Sequence, residues 1–249
     1  MRDYQKVVQI LVDFLRDYLE KSGAKNLLLG VSGGIDSAVV ATLCKLATPQ
    51  THALLMPTSA SNPQNLKDGL WLCENLGIEY QVIDIEPIIN AYEKSANVSF
   101  DNMRKGNLSA RIRMSLLYDR SATLNALVVG TSNKSEIMLG YGTIYGDLAC
   151  AINPIANLFK TEIYELAKYL KVHQNFITKA PSADLWQGQS DEADLGYSYA
   201  KLDEVLSFID KHGYKALKDK FDDEILINLV ISRIEKNMFK TRMPTIAEI

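Results

Sequence analysis

The chain has 249 residues, 47% of them apolar, and its 27 basic and 30 acidic side chains leave a net charge of −3. That length is enough to bury a sizeable core in one α/β domain spanning residues 1–249, and the charge balance carries no footprint of a nucleic-acid binder. Cys44, Cys73 and Cys150 are far apart and form no C-x-x-C pair, so neither a disulfide framework nor a zinc site is signalled.

From about residue 4 to 22, Val7, Val8, Leu11, Phe14, Leu15, Tyr18 and Leu19 share one helical face, and Gly23 is a natural stop. The chain shows no signal peptide and no apolar run of bilayer length, so a soluble cytoplasmic protein without a membrane partner is expected. Next comes Leu27-Leu28-Leu29-Gly30-Val31, a run of the kind shown by a strand buried on both faces. It stops at Ser32-Gly33-Gly34, and from Asp36 an apolar helical pattern begins. Strand, glycine turn and helix make an anion site, because the glycines let backbone N–H groups face a ligand and the helix N-terminus adds partial positive charge. Ser32 and Ser37 add hydroxyl donors. Asp36 beside a phosphate cradle needs a cation between the two charges, and Mg²⁺ is the usual one.

Other readings of this stretch exist. The glycines could merely turn the chain, with Asp36 or Ser37 capping the helix. The P-loop pattern is absent, because no lysine follows the glycines. Gly30-Val31-Ser32-Gly33-Gly34 does match the G-x-S-x-G nucleophile elbow of hydrolases, which would make Ser32 a nucleophile needing a downstream histidine. Of His52, His173 and His212, only the last two lie late enough, and neither follows a clear strand.

A second buried strand, Ala53-Leu54-Leu55-Met56, breaks at Pro57, and Asn62-Pro63 starts a helix that ends near Leu76. Gly77 turns into a third strand, Glu79 to Ile83, followed by a short helix from Ile88 to Lys94 and a polar stretch through Gly106. Leu108 to Thr123 is helical and carries Arg111 and Arg113. The fourth strand, Ala126 to Val129, leads into Gly130-Thr131-Ser132-Asn133-Lys134-Ser135-Glu136. A glycine-rich loop with Gly140, Gly142 and Gly146 follows, then a fifth strand near Ala149 to Ile152 and a helix from Glu162 to Leu170. Ala180 to Gly196 is polar, acidic and without periodicity, so a mobile loop is expected there. About 198 to 238 is helical and ends in a basic tail with Lys240 and Arg242.

Alternating strands and helices imply an α/β fold with a doubly wound, mostly parallel sheet, helices on both faces, and a helical C-terminal part. If the first three strands step outward to one side, the fourth lies most simply on the other side of the first. That order makes a switch point where ligands bind and brings the loops of Asp36 and Glu136 together.

Ser32-Gly33-Gly34-Ile35-Asp36-Ser37 resembles the pyrophosphate-binding loop of the N-type ATP pyrophosphatases, which cleave ATP to AMP and pyrophosphate. Gly106-Asn107 through Ala110-Arg111-Ile112-Arg113-Met114, the Gly130–Glu136 run, Tyr145-Gly146-Asp147, Pro181 to Leu185 and Gln189 to Glu192 resemble, in family order, the ammonia-dependent NAD synthetases. The resemblance implies an adenine-nucleotide alpha-hydrolase-like fold. Gly30, Val31, Ser32, Gly33, Gly34, Ile35, Asp36 and Ser37 would line the ATP site, Thr131 would contact the nucleoside end, and Lys160 and Ser182 would complete it. Asp36 and Glu136 would bind Mg²⁺, Asp36 and Lys160 would carry catalysis, and Arg111 and Lys240 would bind deamido-NAD. A homodimer is implied too, with part of that site at the subunit interface. Many family members have a lysine at Ile144 and an aspartate near Ala151, both used on deamido-NAD, so its grip here differs.

The implied reaction joins the nicotinate carboxylate to AMP, releases pyrophosphate, and then displaces AMP with free ammonia. No cysteine with a histidine partner signals a glutaminase. Two rivals are an ATP pyrophosphatase acting on another acceptor and a non-catalytic nucleotide-binding module, for which the Asp36 and Glu136 pair has no use.

Overall fold

The computed structural model describes residues 2–186 and 188–247. Helix α1 (Tyr4–Ser22) is capped by the Asp3 carboxylate, which accepts from the Lys6 amide, and it ends at Gly23 with φ +70°. Strand β1 (Asn26–Gly30) runs into the glycine turn and α2 (Ile35–Ala47). Then follow β2 (Thr51–Leu55), α3 (Pro63–Leu76), β3 (Glu79–Val82), α4 (Glu86–Ala96), α5 (Asn102–Leu124) and β4 (Ala126–Val129). The expected signals act at α3: the Asn62 side chain caps it, proline stands in its first turn, and Gly77 closes it at φ +61°.

All the strand pairs are parallel and the order is β3-β2-β1-β4, as the sequence leads one to expect. Each strand's side chains alternate between the two faces. Leu27 and Leu29 of β1, with Ala53 and Leu55 of β2, join the core beneath α1, α2 and α3. Leu28, Leu54 and Met56 join the core on the opposite face with Ile85 and Ile89. Helix α2 has eight buried residues out of thirteen, so the turn in front of it rests on a rigid post.

Three expectations shift. The fifth strand reduces to one isolated parallel bridge, Val129 to Ile152, because Asn153-Pro154 follows at once and proline offers no N–H to extend a ladder. Helix α5 begins at Asn102, six residues early, because the Asp101 carboxylate caps it by accepting from the Arg104 amide. The 180–196 segment is irregular only to residue 190 and closes in the short helix Asp191–Leu195; Gln187 within it lies outside the described residues.

After β4 come α6 (Lys134–Leu139), α7 (Lys160–Tyr169) and α8 (Gln174–Thr178), and Asp191–Leu195 is α9. Helices α10 (Tyr199–His212), α11 (Leu217–Lys220) and α12 (Glu224–Asn237) form a separate apolar cluster with Leu139 and Phe159. That cluster braces α6 and α7, the helices that carry Glu136 and Lys160. Among the described residues no helix is long and apolar enough to cross a membrane.

Candidate active site

A cleft of ≈730 Å³ opens over the carboxyl ends of the strands, within the range of small-molecule sites. Its floor is the turn after β1. Gly33 has φ +80°, and a Cβ there would lie 2.1 Å from the Asn65 carbonyl oxygen, so only glycine fits. The Ser37 hydroxyl accepts from the Ser32 amide and donates to the Gly34 carbonyl, which fixes the turn from inside.

Asp36, in the first turn of α2, and Glu136, in α6, converge on one ammonium. Lys160 Nζ lies 2.5 Å from Asp36 Oδ2 and 3.2 Å from Glu136 Oε1. Asn133, wholly buried, holds the outer oxygens: its side-chain amide donates to Asp36 Oδ1 at 2.9 Å and its backbone N–H to Glu136 Oε2 at 3.2 Å. The inner oxygens are thereby aimed at a common point. Burial pushes the Glu136 carboxyl well above the usual range; Lys160 opposes that shift and Asp36 adds repulsion. Burial alone would discharge Lys160, but Asp36 and Glu136 outweigh it and hold the ammonium protonated. Asp191 is also raised, chiefly by burial. The hard oxygen donors of Asp36 and Glu136 suit Mg²⁺, which binds through one or two carboxylates plus substrate phosphates.

The other expected residues are distributed unevenly. Gly30, Val31, Ser32, Gly34, Ile35, Thr131 and Ser182 line the cleft with Asp36, Ser37, Glu136 and Lys160, and so does Lys240 from the far end of the chain. Lys240 Nζ donates to the carbonyls of Gly140 and Gly142 at 2.8 and 3.1 Å. Ser182 Oγ donates to the Gln189 carbonyl at 2.7 Å and accepts from the Asp184 amide at 3.1 Å. Arg111 is not among the lining residues; it stands exposed on α5, with Nε 3.3 Å from the Ile144 carbonyl. Lys134 is paired with Asp210 at 2.6 Å and takes no part in the cleft.

Several further lining residues carry no assigned role in the sequence reading, although Arg113, Asp184 and Asp191 lie in the motifs quoted there. Arg113 faces the cleft with Nε on the Met56 carbonyl at 3.0 Å, and Lys179, Asp184 and Asp191 stand around the 180–190 segment. Tyr141 donates to Asp191 and Asp194 at 3.1 and 2.9 Å. The hydrolase reading fails here. Among the described residues no histidine lines the cleft: His52 bonds Asn26, His173 caps α8, and His212 ends α10. Ser32 Oγ meets Ser37 Oγ and the Gly34 amide instead.

The profile of the NAD synthase family matches residues 7–244. The chain is 55% identical to an NH(3)-dependent NAD(+) synthetase of Campylobacter jejuni subsp. jejuni, over 99% of this chain and 100% of that one. Among solved structures, the NH3-dependent NAD synthetase of Campylobacter jejuni superposes with a TM-score of 0.87 at 48% identity, covering 100% of both chains. An NMN synthetase of Francisella tularensis superposes with a TM-score of 0.91 at 34% identity, again over 100% of both.

Proposed function

Since the chain belongs to the NAD synthase family, we propose that its cleft performs the family's reaction, and that the convergence of Asp36, Glu136 and Lys160 on the phosphate turn is its working centre. The enzyme is an ammonia-dependent NAD synthetase. It amidates the nicotinate carboxylate of deamido-NAD, using ATP and releasing AMP and pyrophosphate.

The chemistry asks mainly for positioning and charge neutralisation. A carboxylate oxygen bonds to the α-phosphorus of ATP while the bond to pyrophosphate breaks. Backbone N–H groups at the start of α2, just after the Ser32–Gly34 turn, would meet the leaving pyrophosphate. Lys160 sits where it can pass from carboxylates to phosphate oxygens. Asp36 and Glu136 would hold Mg²⁺, which offsets the negative charge of the polyphosphate. The lone pair of ammonia then attacks the acyl carbon, AMP departs, and the proton shed by nitrogen goes to solvent. Residues 180–186 and Gln189 line the cleft, where they would keep water from the acyl-adenylate. Lys240 and Arg111 flank the glycine loop at Gly140–Ile144 and would meet deamido-NAD there.

We read the active species as a homodimer. Arg111 is exposed outside the cleft of its own chain, so a second copy packed over α5 would close the deamido-NAD site beside it. The edge strand β3 and helices α4 and α5 expose Tyr80, Val82, Tyr92 and Tyr118, apolar side chains that a second copy would cover. Sedimentation should give a dimer at micromolar concentration; a fully active monomer would refute it.

The decisive assay mixes protein, Mg-ATP, ammonium and deamido-NAD and measures NAD, AMP and pyrophosphate. Equal amounts of the three are expected, with little NAD when glutamine replaces ammonium. Nicotinate mononucleotide is the control acceptor, given the NMN synthetase among the similar structures. Faster amidation of that mononucleotide than of deamido-NAD would overturn the assignment.

A further inference from the structure

We propose that Asn65 is a positioning residue that locks the 180–190 segment to the phosphate turn, so that the cover and the floor of the ATP site form as one unit. The proposal rests on the acyl-adenylate reading above and goes on to say what keeps that intermediate from water.

Asn65 lies in the first turn of α3 and faces both sides of the cleft. Its backbone carbonyl is the surface against which Gly33 packs, with no room for a Cβ between them. Its side chain then makes two bonds of opposite sense. Oδ1 accepts from Lys179 Nζ at 2.7 Å, and Nδ2 donates to Asp184 Oδ2 at 2.8 Å. The same Lys179 ammonium donates to the Gly33 carbonyl at 2.9 Å and to Asp68 Oδ2 at 2.5 Å. Asp184 also accepts from the Asn62 amide at 3.1 Å. One amide therefore sits between a cation that holds the phosphate turn and a carboxylate that holds the covering segment.

The seat of that segment is specific. Asp184 adopts φ +52°, a left-handed conformation uncommon outside glycine and one that aspartate tolerates better than most residues. The next residue, Leu185, packs on Gly106 of α5, where a Cβ would come within 3.0 Å of it. Asp191 adds a second tie by accepting from the Ala183 amide at 2.9 Å. If Asn65 lost its side chain, Asp184 would keep the Asn62 amide and Lys179 the Gly33 carbonyl, but the amide that couples these two ties to each other would be gone.

A loosened cover has a chemical signature. Water entering the cleft attacks the acyl carbon, the acyl–oxygen bond to AMP breaks, a proton is released to solvent, and deamido-NAD and AMP are returned. AMP then accumulates in excess of NAD. Loss of overall stability lowers both products together and leaves their ratio alone.

The test compares wild type, Asn65→Ala, Asn65→Asp and the double variant Asn65→Asp/Asp184→Asn. In wild type, AMP and NAD should form in equal amounts. Asn65→Ala should raise AMP to several times NAD, and Asn65→Asp should be worse because two carboxylates then face each other. The double variant restores a donor opposite an acceptor and should return the ratio close to one. A direct bond from Asn65 to ATP would not be rescued by a change at Asp184, so absence of rescue overturns the proposal, as does an unchanged ratio in Asn65→Ala. A second readout is independent of NAD formation: Mg-ATP should slow tryptic cleavage after Lys179 in wild type and in the double variant, and not in Asn65→Ala. Wild type that makes no NAD refutes the functional reading alone, whereas equal ATP protection in wild type and Asn65→Ala refutes the role of Asn65.

Discussion

The phosphate turn and the 180–190 segment face each other across one cleft and are built in opposite ways. The turn is local: Ser32, Gly34 and Ser37 bond one another within five residues, and the buried helix α2 stands directly behind them. The covering segment has little apolar anchorage and is fixed by polar side chains remote in sequence. Lys179 reaches Gly33 across 146 positions, and Asp184 reaches Asn62 across 122. A floor built from backbone geometry is set once the chain folds. A cover built from side-chain hydrogen bonds, each worth about 1 kcal/mol net, can be opened and reseated within a catalytic cycle.

The contrast is broken most severely at the floor. Asp36→Ala should cut turnover about 10³-fold or more at every ATP concentration, because Lys160 then answers Glu136 alone and the carboxylate pair is lost. Melting temperature and turnover measured together check this, and near-normal turnover in Mg²⁺ would sink the assignment. Gly33→Ala comes next. The new methyl has no space against Asn65 and the backbone is left-handed there, so ATP binding measured by calorimetry should fall by about 10²-fold.

Substitutions in the cover should act more gently. Ser182→Ala removes the hydroxyl that joins the Gln189 carbonyl to the Asp184 amide, and a loss of about tenfold in kcat is expected, with the fold unchanged. Smallest is an effect on stability. Asp68 is buried and accepts from Lys179 and Gln64, and despite its burial these bonds hold its carboxyl below the usual range. Its contribution is therefore complete above the unfolded value near 3.8 and is lost as pH falls through the lower folded value. Asp68→Asn should cost about 2 kcal/mol at neutral pH, and the gap from wild type should close in acid, as urea melts across pH would record.

The same contrast explains what could be read from the sequence. The turn, the strand order and the stops at Gly23 and Gly77 were legible, because glycine, proline and capping side chains act on their neighbours. Glu136 and Asp36 could be paired, because strand order alone brings their loops together. The bonds that join Asn65 and Asp68 to Lys179 and Asp184 leave no local pattern, since each spans more than a hundred positions. The fifth strand was overcalled because an apolar run does not reveal that a proline will cut the ladder after one bridge. Asp203 shows the same limit. It accepts from Ser135 Oγ and from Thr161 N and Oγ1, at 2.5, 2.8 and 2.8 Å, and so ties the starts of α6 and α7 to the C-terminal helices. Nothing near it in the sequence announces that role.

The central claim is that this cleft activates a carboxylate as its adenylate before nitrogen arrives. The most direct measurement uses deamido-NAD whose nicotinate carboxylate carries heavy oxygen. Attack on the α-phosphorus followed by amidation must leave one labelled oxygen in AMP, and mass spectrometry should find it there in every turnover. Unlabelled AMP, or label in the pyrophosphate, would contradict the account.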